Sequence, residues 1–540
     1  MRRVLGVLCS VPLLLGCERR EEPRPAVKSA TVRIVHGPEL RAYLSDLKER
    51  FYVQNPTLSD GTKITIELVS ELGVVAARKL ASGELKSEAW VAPSSSLVNL
   101  VNSSISGLGA EQVECQPLFT TPIVAATRPE SREFFNTSTN RFSWREVFES
   151  KLAQASTAPD TNYLAYSHAA PESSVTGTDS LLLLAYLAAN TAGPLTAEGL
   201  LGGLTLKRLE RFEDVVSNYS MSEAFLLERT ARATTKRIRF TLTSEQQLAL
   251  YNVNRGPGAH PLIALYPEEG SVVQDYQFCV SKADWVTPAH QATLRLFGAL
   301  LRGPVGREAA TAKGFRVPES TGPLRAPLTP EFGVELSAPS KVFPPAEGKA
   351  VQALLEHWGD LKRPAALAVV LDNSGSMEGE SLRLSKDFIR NLVARLPDRD
   401  KKGLVSFSTT AKVESKFSTD TGDFIRALDP IQSLGGSAVY DGIRTAIELI
   451  ATSDLQSYRK SILVITDGQD KNSESSVQSL TDTINTKFSQ HDVNLIIVAI
   501  SREDPDFTDL ERITRAANGL FREASLARLG AVFQEVQRNL

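Results

Sequence analysis

Short, continuous apolar runs alternate along the chain with longer segments in which apolar residues recur at helical spacing. The runs 367–371, 461–465 and 493–500 are rich in Val, Leu and Ile, which is typical of strands buried in a parallel sheet. The segment 381–396 has the apolar spacing of an amphipathic helix. The pattern from 363 to 540 therefore predicts a doubly wound α/β domain.

The same alternation occupies residues 31–320. Strand-like runs at 32–36, 64–69 and 89–93 are separated by helical segments such as 39–54, whose apolar residues recur every three or four positions. Repeated strand–helix units of this kind predict a mostly parallel sheet with helices on both faces.

A proline-rich stretch separates the two α/β regions. Six of its prolines are Pro323, Pro327, Pro330, Pro339, Pro344 and Pro345. Proline favours an extended, semi-rigid connection, which only the helical patch 351–358 interrupts. At 540 residues the chain is also too long for one ordinary domain. We therefore expect a domain at 31–320, a linker at 321–362 and a second domain at 363–540.

The N-terminus has the layout of a secretory signal. Arg2 and Arg3 precede the apolar run 4–15, which is too short to span a bilayer. The run ends Leu-Leu-Gly-Cys at 14–17, which resembles the lipobox of bacterial lipoproteins and implies a lipid on Cys17. An ordinary signal peptide with an incidental cysteine is the alternative. Residues 18–30 are charged and predict a flexible tether.

The number and positions of the cysteines are consistent with a secreted protein. Beyond Cys9 in the signal and Cys17 at its end, the chain has only Cys115 and Cys279. An even pair in an oxidising compartment favours a disulfide between them. Two separate, buried thiols are the alternative.

Polar side chains follow the apolar runs of the second domain. Asp372, Ser374 and Ser376 come directly after the first run, Ser437 follows a glycine turn, and Asp467 ends a later run. Ligands of open α/β sheets lie beyond the carboxyl ends of the strands, and carboxylate and hydroxyl oxygens suit a hard divalent cation. Asp and Ser also cap helices routinely, which is the simpler explanation of the first three.

The five positions together resemble the metal-ion-dependent adhesion site of von Willebrand factor A (VWA) domains. The family pattern is Asp-x-Ser-x-Ser, then Thr, then Asp, and only Ser437 departs from it. Ser keeps the hydroxyl oxygen of Thr and loses a methyl group that restricts the rotamer. The resemblance implies a site for Mg²⁺, or Mn²⁺ or Ca²⁺, whose open coordination position takes a carboxylate of a partner protein.

Several phrases of the first domain resemble bacterial extracellular solute-binding proteins of the two-lobed periplasmic type. These phrases are 89–96, 119–125, 266–270, 284–291 and 307–316. The resemblance implies a small-molecule or oxyanion ligand between two lobes, held at helix N-termini, where free N–H groups favour anions. The candidate hydroxyls are Ser94, Ser95 and Ser96 on one lobe, and Ser173, Ser174 and Thr176 on the other.

These hydroxyls also have a purely structural interpretation. Helix caps account for the same residues without a ligand, and a two-lobed fold can serve only as a protein-binding scaffold. Glu245 and Tyr251 lie in a stretch typical of the same family, and we interpret both as structural.

Other classes of function find little support in the sequence. A net charge of −3 and the absence of an arginine-rich stripe argue against nucleic acid. A strand ending in an acid resembles the nucleophile of haloacid-dehalogenase phosphatases, but Ser374 stands where those need a second Asp. The six His residues lack metal-site spacing, and no nucleophile elbow or phosphate loop is present. We therefore expect no enzyme.

The sequence favours a lipid-anchored binding protein on the periplasmic or extracellular face of a bacterial cell envelope. Its VWA domain would capture a protein partner through the metal site, and its first domain would bind a small ligand or act as a scaffold. The alternative is the substrate-binding receptor of an ABC-type uptake system, with the VWA domain as a docking module.

Overall fold

The computed structural model describes most of the chain from residue 29 onwards. The described residues are 29–105, 113–155, 164–220, 222–232, 239–256, 259–318, 325–335, 337–468, 470–491, 493–501, 506–517 and 519–538. The predicted signal peptide (1–17), Cys17 and the tether up to residue 28 lie outside these residues. The first strand begins at Ser29, two residues before the predicted start of the first domain.

The N-terminal domain contains ten strands and eleven α-helices in the described residues. Its strands are β1 (Ser29–His36), β2 (Lys63–Ser70), β3 (Ala89–Ala92), β4 (Val113–Thr127), β5 (Arg141–Phe142), β6 (Tyr166–Ala169), β7 (Val216–Ser220), β8 (Phe240–Ser244), β9 (Ile263–Pro267) and β10 (Val273–Ser281). Its helices are α1 (Arg41–Val53), α2 (Gly73–Ser82), α3 (Ser95–Ile105), α4 (Trp144–Ala155), α5 (Val175–Ala189), α6 (Ala197–Leu201), α7 (Thr205–Glu213), α8 (Glu223–Arg232), α9 (Glu245–Asn254), α10 (Pro288–Arg302) and α11 (Pro304–Ala312).

The strands of this domain form two lobes joined by a pair of long strands. The sheet order is β2-β1-β3-β10-β4-β8-β6-β7, with β9 beside β4 and β5 beside β9. We call β1–β3 with α1–α3, α10 and α11 the first lobe, and β5–β9 with α4–α9 the second lobe. The strands β4 and β10 cross between the lobes. β10 pairs with β3 of the first lobe, and the C-terminal part of β4 pairs with β8 and β9 of the second.

The prediction of a mostly parallel sheet holds within the lobes but is wrong for the strands that join them. Pairs β1–β2, β1–β3, β6–β7 and β6–β8 are parallel. In contrast, β10 runs antiparallel to β3 and β4, and β4 runs antiparallel to β8 and β9. The two crossing strands carry the chain between lobes in opposite directions, so they are necessarily antiparallel to each other.

Cys115 and Cys279 lie on these two crossing strands. They occupy directly opposed positions of β4 and β10, and the structure places a disulfide between them. The bond closes a loop of 164 residues, which contains the whole second lobe. In the chain-entropy model a loop of this length contributes about 5 kcal/mol to stability.

The segment predicted as a linker packs against both lobes. Its helix α12 runs over Gly348–Leu361, longer than the predicted patch, and Val351, Leu354 and Trp358 are buried in the core shared with α3 and α5. Just before the helix, the Ala346 N–H donates to Ser96 Oγ of the first lobe (3.0 Å). The Glu347 N–H donates to the carbonyl of Leu195 in the second lobe (3.0 Å). The predicted helical patch is therefore present, and it packs into the core between the lobes.

The C-terminal domain is a six-stranded sheet covered by helices on both faces. Its strands are β11 (Ala365–Asp372), β12 (Lys401–Phe407), β13 (Ala411–Ser418), β14 (Arg459–Thr466), β15 (Val493–Ile500) and β16 (Leu520–Ala524). Its helices are α13 (Glu380–Val393), α14 (Thr421–Leu428), α15 (Val439–Ala451), α16 (Val477–His491), α17 (Thr508–Ala516) and α18 (Leu529–Arg538). The order is β13-β12-β11-β14-β15-β16, and only β13, at one edge, is antiparallel to its neighbour.

The central strand β11 explains why this sheet forms. All eight of its residues are buried. Ala366, Ala368 and Val370 contribute to the core on one face of the sheet, and Leu367, Val369 and Leu371 contribute to the core on the other. A strand that is apolar at every position requires helices on both faces. The chain must leave this core where the apolar run ends, at Asp372.

The C-terminal domain packs against the second lobe. Arg229 of α8 donates from Nη1 to Oδ1 of Asn494 on β15 (3.0 Å), and both residues are buried. The guanidinium of Arg459 on β14 lies 4.6 Å from the ring centre of Tyr219 on β7. Contacts of buried polar groups therefore join the two domains.

Candidate functional site

The ends of β11 and β14 position the two predicted carboxylate ligands. These strands are parallel neighbours, so Asp372, the last residue of β11, and Asp467, the residue after β14, lie at the same edge of the sheet. A 3-10 turn at Gly375–Met377 follows β11 and carries Ser376, with Ser374 just before it. Ser437 comes from the loop that precedes α15.

Two backbone hydrogen bonds hold the Ser437 loop against the turn after β11. The Leu434 N–H donates to the Asn373 carbonyl (2.8 Å), and the Gly375 N–H donates to the Gly435 carbonyl (3.0 Å). Gly435 has φ +69°, a left-handed conformation that favours glycine. The glycine turn of the sequence therefore serves to bring Ser437 back to the end of β11.

The five predicted ligands lie in one hydrogen-bonded chain. Asp372 Oδ1 accepts from the Ser374 N–H (2.8 Å), and Asp372 Oδ2 accepts from Ser437 Oγ (3.5 Å). The hydroxyls of Ser374 and Ser376 are 3.0 Å apart, and Ser376 donates to Asp467 Oδ1 (2.8 Å). The structure therefore brings these residues together, while metal binding by them stays a prediction.

Burial makes this group electrostatically favourable for a cation. Asp372 is fully buried, and desolvation raises the pKa of its carboxyl to about 6. Hydrogen bonds from Ser374 and Thr466 lower the pKa, and the nearby Asp467 raises it. Two carboxyls held near each other repel when both are ionised, and a bound cation relieves that repulsion.

The donor set fits a hard divalent cation. It consists of two carboxylates and three hydroxyls, which are the oxygen ligands that Mg²⁺ prefers, and it contains no nitrogen or sulfur. Ser376 is exposed, whereas Asp372, Ser374, Ser437 and Asp467 are buried. The site therefore faces solvent on the side of Ser376. In the described part of the chain, no cluster of three or more His, Cys, Asp or Glu side chains is arranged to hold a metal ion.

Two residues that support this site were missed in the sequence. Thr466 donates to Asp372 Oδ2 (2.6 Å), and Asn472 Oδ1 accepts from the Ser437 N–H (3.0 Å). Thr466 directly precedes Asp467 at the end of an apolar run, so a hydroxyl beside a predicted ligand could have identified it in the sequence. Asn472 stands in a polar loop with no distinguishing spacing, so only the folded chain identifies it.

The candidate hydroxyls of the first lobe all have partners within the protein. Ser95 donates from its N–H to Asp275 Oδ1 (2.7 Å), and its hydroxyl also bonds the same carboxylate. Ser94 Oγ accepts from the Leu97 N–H (3.4 Å) as a helix cap. Ser96 accepts from the backbone before α12, as described above. An internal carboxylate therefore occupies the helix end at which an oxyanion was predicted.

The candidate hydroxyls of the second lobe are similarly engaged. Ser174 caps α5 by accepting from the Gly177 N–H (3.2 Å), and Ser173 donates to the Ala170 carbonyl (3.4 Å). Thr176 Oγ1 accepts from Gln274 Nε2 (3.1 Å). Ser174 has the capping role that was the simpler interpretation, whereas Ser173 and Thr176 have other partners within the protein. Ligand binding by these residues stays a prediction.

Acidic side chains, which the sequence reasoning missed, surround these hydroxyls. Glu39 is in the first lobe, Asp179 on α5 and Glu223 on α8 are in the second, and Asp275 is on the crossing strand β10. Glu223 accepts from Thr243 (3.1 Å), and Tyr276 donates to Glu39 (3.3 Å). No sequence spacing connects these four acids, because they come from four separate elements.

Glu245 and Tyr251 make structural contacts. Glu245 is fully buried and receives two hydrogen bonds from the Arg316 guanidinium (2.6 and 2.5 Å) and one from Tyr266. Tyr251 donates to the His260 carbonyl (3.1 Å). These contacts tie α9 to the strand and chain segments that surround it.

The family comparison agrees with the two-domain architecture. Residues 32–316 match the model of a bacterial extracellular solute-binding protein, and residues 366–535 match the von Willebrand factor type A domain. The first match covers more than half of the chain. The chain therefore belongs to the family of bacterial extracellular solute-binding proteins, and it joins that domain to a VWA domain.

Similar individual proteins share only a part of the chain. An uncharacterized protein of Synechocystis sp. is 27% identical over 117 residues, which are 21% of this chain and 28% of that protein. The human calcium-activated chloride channel regulator 4 is 28% identical over 120 residues, which are 21% of this chain and 13% of that protein. The chain thus spans less than a third of the length of these relatives.

Solved structures resemble the two domains separately. A periplasmic thiamin-binding protein aligns over 63% of this chain and 98% of its own, with 12% identity and a TM-score of 0.43. A von Willebrand factor type A protein from Catenulispora acidiphila aligns over 33% of this chain and 42% of its own, with 20% identity and a TM-score of 0.30. Both similarities are low.

The two families define a binding protein. Both are typically non-enzymatic binding or adhesion modules, and the extracellular solute-binding domain indicates a periplasmic or extracellular location. Of the helices in the described ranges, none has the length and apolar character that a membrane span requires.

Proposed function

We propose that this protein is a non-enzymatic, lipid-anchored envelope protein whose VWA domain binds Mg²⁺ and captures a partner protein through a carboxylate. The observation that carries the proposal is the group of five oxygen-bearing side chains at the edge of the VWA sheet, of which Ser376 is exposed. Mn²⁺ and Ca²⁺ share the preference for oxygen ligands and are alternatives for the ion.

The residues of the site have distinct roles in this proposal. Asp372 and Asp467 supply the negative charge, and Ser374, Ser376 and Ser437 supply neutral oxygens. Thr466 and the Ser374 N–H hold the Asp372 carboxylate in one orientation. A divalent cation bound here would supply a positively charged centre to which a carboxylate oxygen of the partner can coordinate. Because three of the five protein ligands are neutral, an anionic sixth ligand is favoured.

The solute-binding domain contributes a second binding function, for a small ligand held between its lobes. The family membership supports this assignment. Glu39, Glu223 and Asp275 are partly exposed and could contact such a ligand. Cys17 would attach the chain to the membrane by its lipid.

A pull-down from intact cells tests the VWA proposal. Crosslinking with the full chain should recover a partner in the presence of Mg²⁺, and EDTA should abolish the recovery. Asp372→Ala should abolish recovery of the partner even in the presence of Mg²⁺. Asp454→Ala is a matched control, because Asp454 is an exposed acid at the opposite end of β14 from Asp467. Recovery that survives both EDTA and Asp372→Ala would make the metal site structural and refute the proposed capture.

The second candidate is the substrate-binding receptor of an ABC-type uptake system. The solute-binding match over more than half of the chain favours it. In this case the VWA domain would dock the receptor to its transporter. Deleting the gene should then reduce uptake of a labelled solute, whereas the first proposal predicts unchanged uptake and loss of a protein complex.

A further inference from the structure

The space between the two lobes is acidic. Glu39 comes from the first lobe, Asp179 and Glu223 come from the second, and Asp275 lies on the strand that joins them. Burial is the main cause that raises the pKa of Glu223 and of Asp179. Beyond it, Glu39 raises the pKa of Glu223, and Asp275 and Glu223 raise that of Asp179. Among the described residues, no Lys or Arg side chain forms an ion pair with any of the four.

Asp179 is the most unusual member of this group. It is fully buried, and neither of its carboxylate oxygens has a hydrogen-bond partner among the described residues. Gln274 is the nearby amide, but its Nε2 donates to Thr176. A buried carboxyl group without hydrogen-bond partners is costly whether it is protonated or ionised, since such groups are normally hydrogen-bonded or paired. Asp179 therefore pairs with no cationic side chain among the described residues, and the Gln274 amide is the N–H donor beside it.

The other acids are partly satisfied and remain accessible. Asp275 receives bonds from Ser95 and from Gln277 Nε2 (3.0 Å), and Glu223 receives one from Thr243. Glu39, Glu223 and Asp275 each keep partial contact with solvent, whereas Asp179 is enclosed. Three of the four acids are therefore reachable from solvent, and Asp179 is not.

We infer that the cleft between the lobes binds a small organic cation with N–H donors, such as an alkylammonium compound, and not an oxyanion. This inference rests on the proposed small-ligand function of the solute-binding domain and names the chemical class of its ligand. The ammonium group pairs with Glu223 and Glu39, and its N–H groups donate to Asp179, which releases its proton to solvent when the cation binds. Charge-assisted hydrogen bonds of this kind are the strong ones in proteins.

The structure favours an organic cation over a metal ion. The four acids are not arranged as a metal-binding cluster within the described residues. Tyr276, whose hydroxyl bonds Glu39, adds an aromatic ring beside the acids and packs against Phe119 (5.2 Å between ring centres). Aromatic and acidic neighbours together suit a cation that also has apolar atoms.

Calorimetry with the full chain tests the ligand class. The probes are methylammonium, putrescine and agmatine as organic cations, inorganic phosphate and sulfate as anions, and glucose as a neutral compound, all in EDTA to silence the VWA site. We expect heat of binding from at least one amine and from no anion. Asp179→Asn and Glu223→Gln should each weaken that binding roughly ten- to hundredfold, the range for losing one charged hydrogen bond.

Glu228→Gln is the matched control, because Glu228 lies on the same helix as Glu223 but is exposed and paired with Arg232. It should bind the amine as wild type does.

Amine binding that is equally strong in wild type, Asp179→Asn and Glu223→Gln would overturn the inference. Binding of an anion or of glucose alone would also overturn it and would leave the small-ligand function standing. Binding of none of the probes would refute the amine inference, and the partner pull-down would test the VWA function separately.

Discussion

Single residues account for much of the candidate metal site, and the sequence could place them because their positions are tied to strand ends. Asp372 and Asp467 had to share one edge of the sheet once two neighbouring parallel strands were predicted. Ser437 required the family pattern as well, because its loop is placed only by the glycine turn and by Asn472. The acids of the cleft could not be predicted, since Asp179 lies inside an apolar helix and carries no local signal.

Asp179 makes stability depend on pH in a direction that can be tested. Burial raises the pKa of its carboxyl to about 8, and Asp275 and Glu223 add to the effect. Unfolded Asp ionises near pH 4, so between about pH 4 and pH 8 the folded chain holds a proton that the unfolded chain releases. The stability of the ligand-free protein should therefore fall as the pH rises through that window.

Asp179→Asn should remove this loss of stability at rising pH, because Asn does not ionise. In ligand-free protein, we expect the variant to exceed wild type by on the order of 2–4 kcal/mol at pH 7 in urea unfolding, with a smaller difference at pH 5. Glu39, Glu223 and Asp275 titrate in both proteins, so the comparison isolates Asp179. Equal stability of the two proteins at pH 7 would show that Asp179 has a partner in solution.

At the scale of elements, the strands and helices of the VWA domain were predictable because each has a strong pattern. β11, β14 and β15 each contain a run rich in Val, Leu and Ile. The first domain was harder. Its parallel lobes follow from repeated strand–helix units, but antiparallel β4 and β10 depend on long-range pairing that has no local signature. The helix α12 was underestimated, because the prolines before it obscured its start.

The burial of α12 predicts a measurable role in stability. Leu354 is fully buried in the core that α12 shares with α3 and α5. Leu354→Ala should lower the free energy of unfolding by about 2–5 kcal/mol, the usual cost of such a cavity. Gln352→Ala, an exposed change on the same helix, should cost less than about 0.5 kcal/mol. Urea unfolding of the full chain measures both, and equal small effects would mean that α12 is a free linker.

At the scale of the whole molecule, the two domains are joined by packing as well as by the chain. α8 has Glu223 of the cleft at its N-terminus and Arg229, which bonds the VWA domain, on its next turns. α12 spans both lobes and leads directly into β11. The proposed ligand of the cleft and the proposed partner of the VWA domain would therefore act on connected elements, although their binding residues are separate.

The membrane anchor is the prediction that concerns the molecule as a whole in its envelope. Cys17→Ser should move the protein from the membrane fraction to the soluble fraction and should abolish labelling by a fatty-acid analogue. Cys9→Ser lies within the predicted signal and is the matched control, with both properties expected to remain. Labelling of Cys17→Ser at the wild-type level would refute the lipobox interpretation.

The central claim is that Asp372 and its neighbours bind a divalent cation, and calorimetric titration of the full chain with Mg²⁺ tests it most directly. Wild type and the control Asp454→Ala should each bind one Mg²⁺, and EDTA should reverse the binding. Asp372→Ala and the isosteric Asp467→Asn should show no such binding while circular dichroism shows that both remain folded. Absence of Mg²⁺ binding in wild type, or equal binding by Asp372→Ala, would contradict the account.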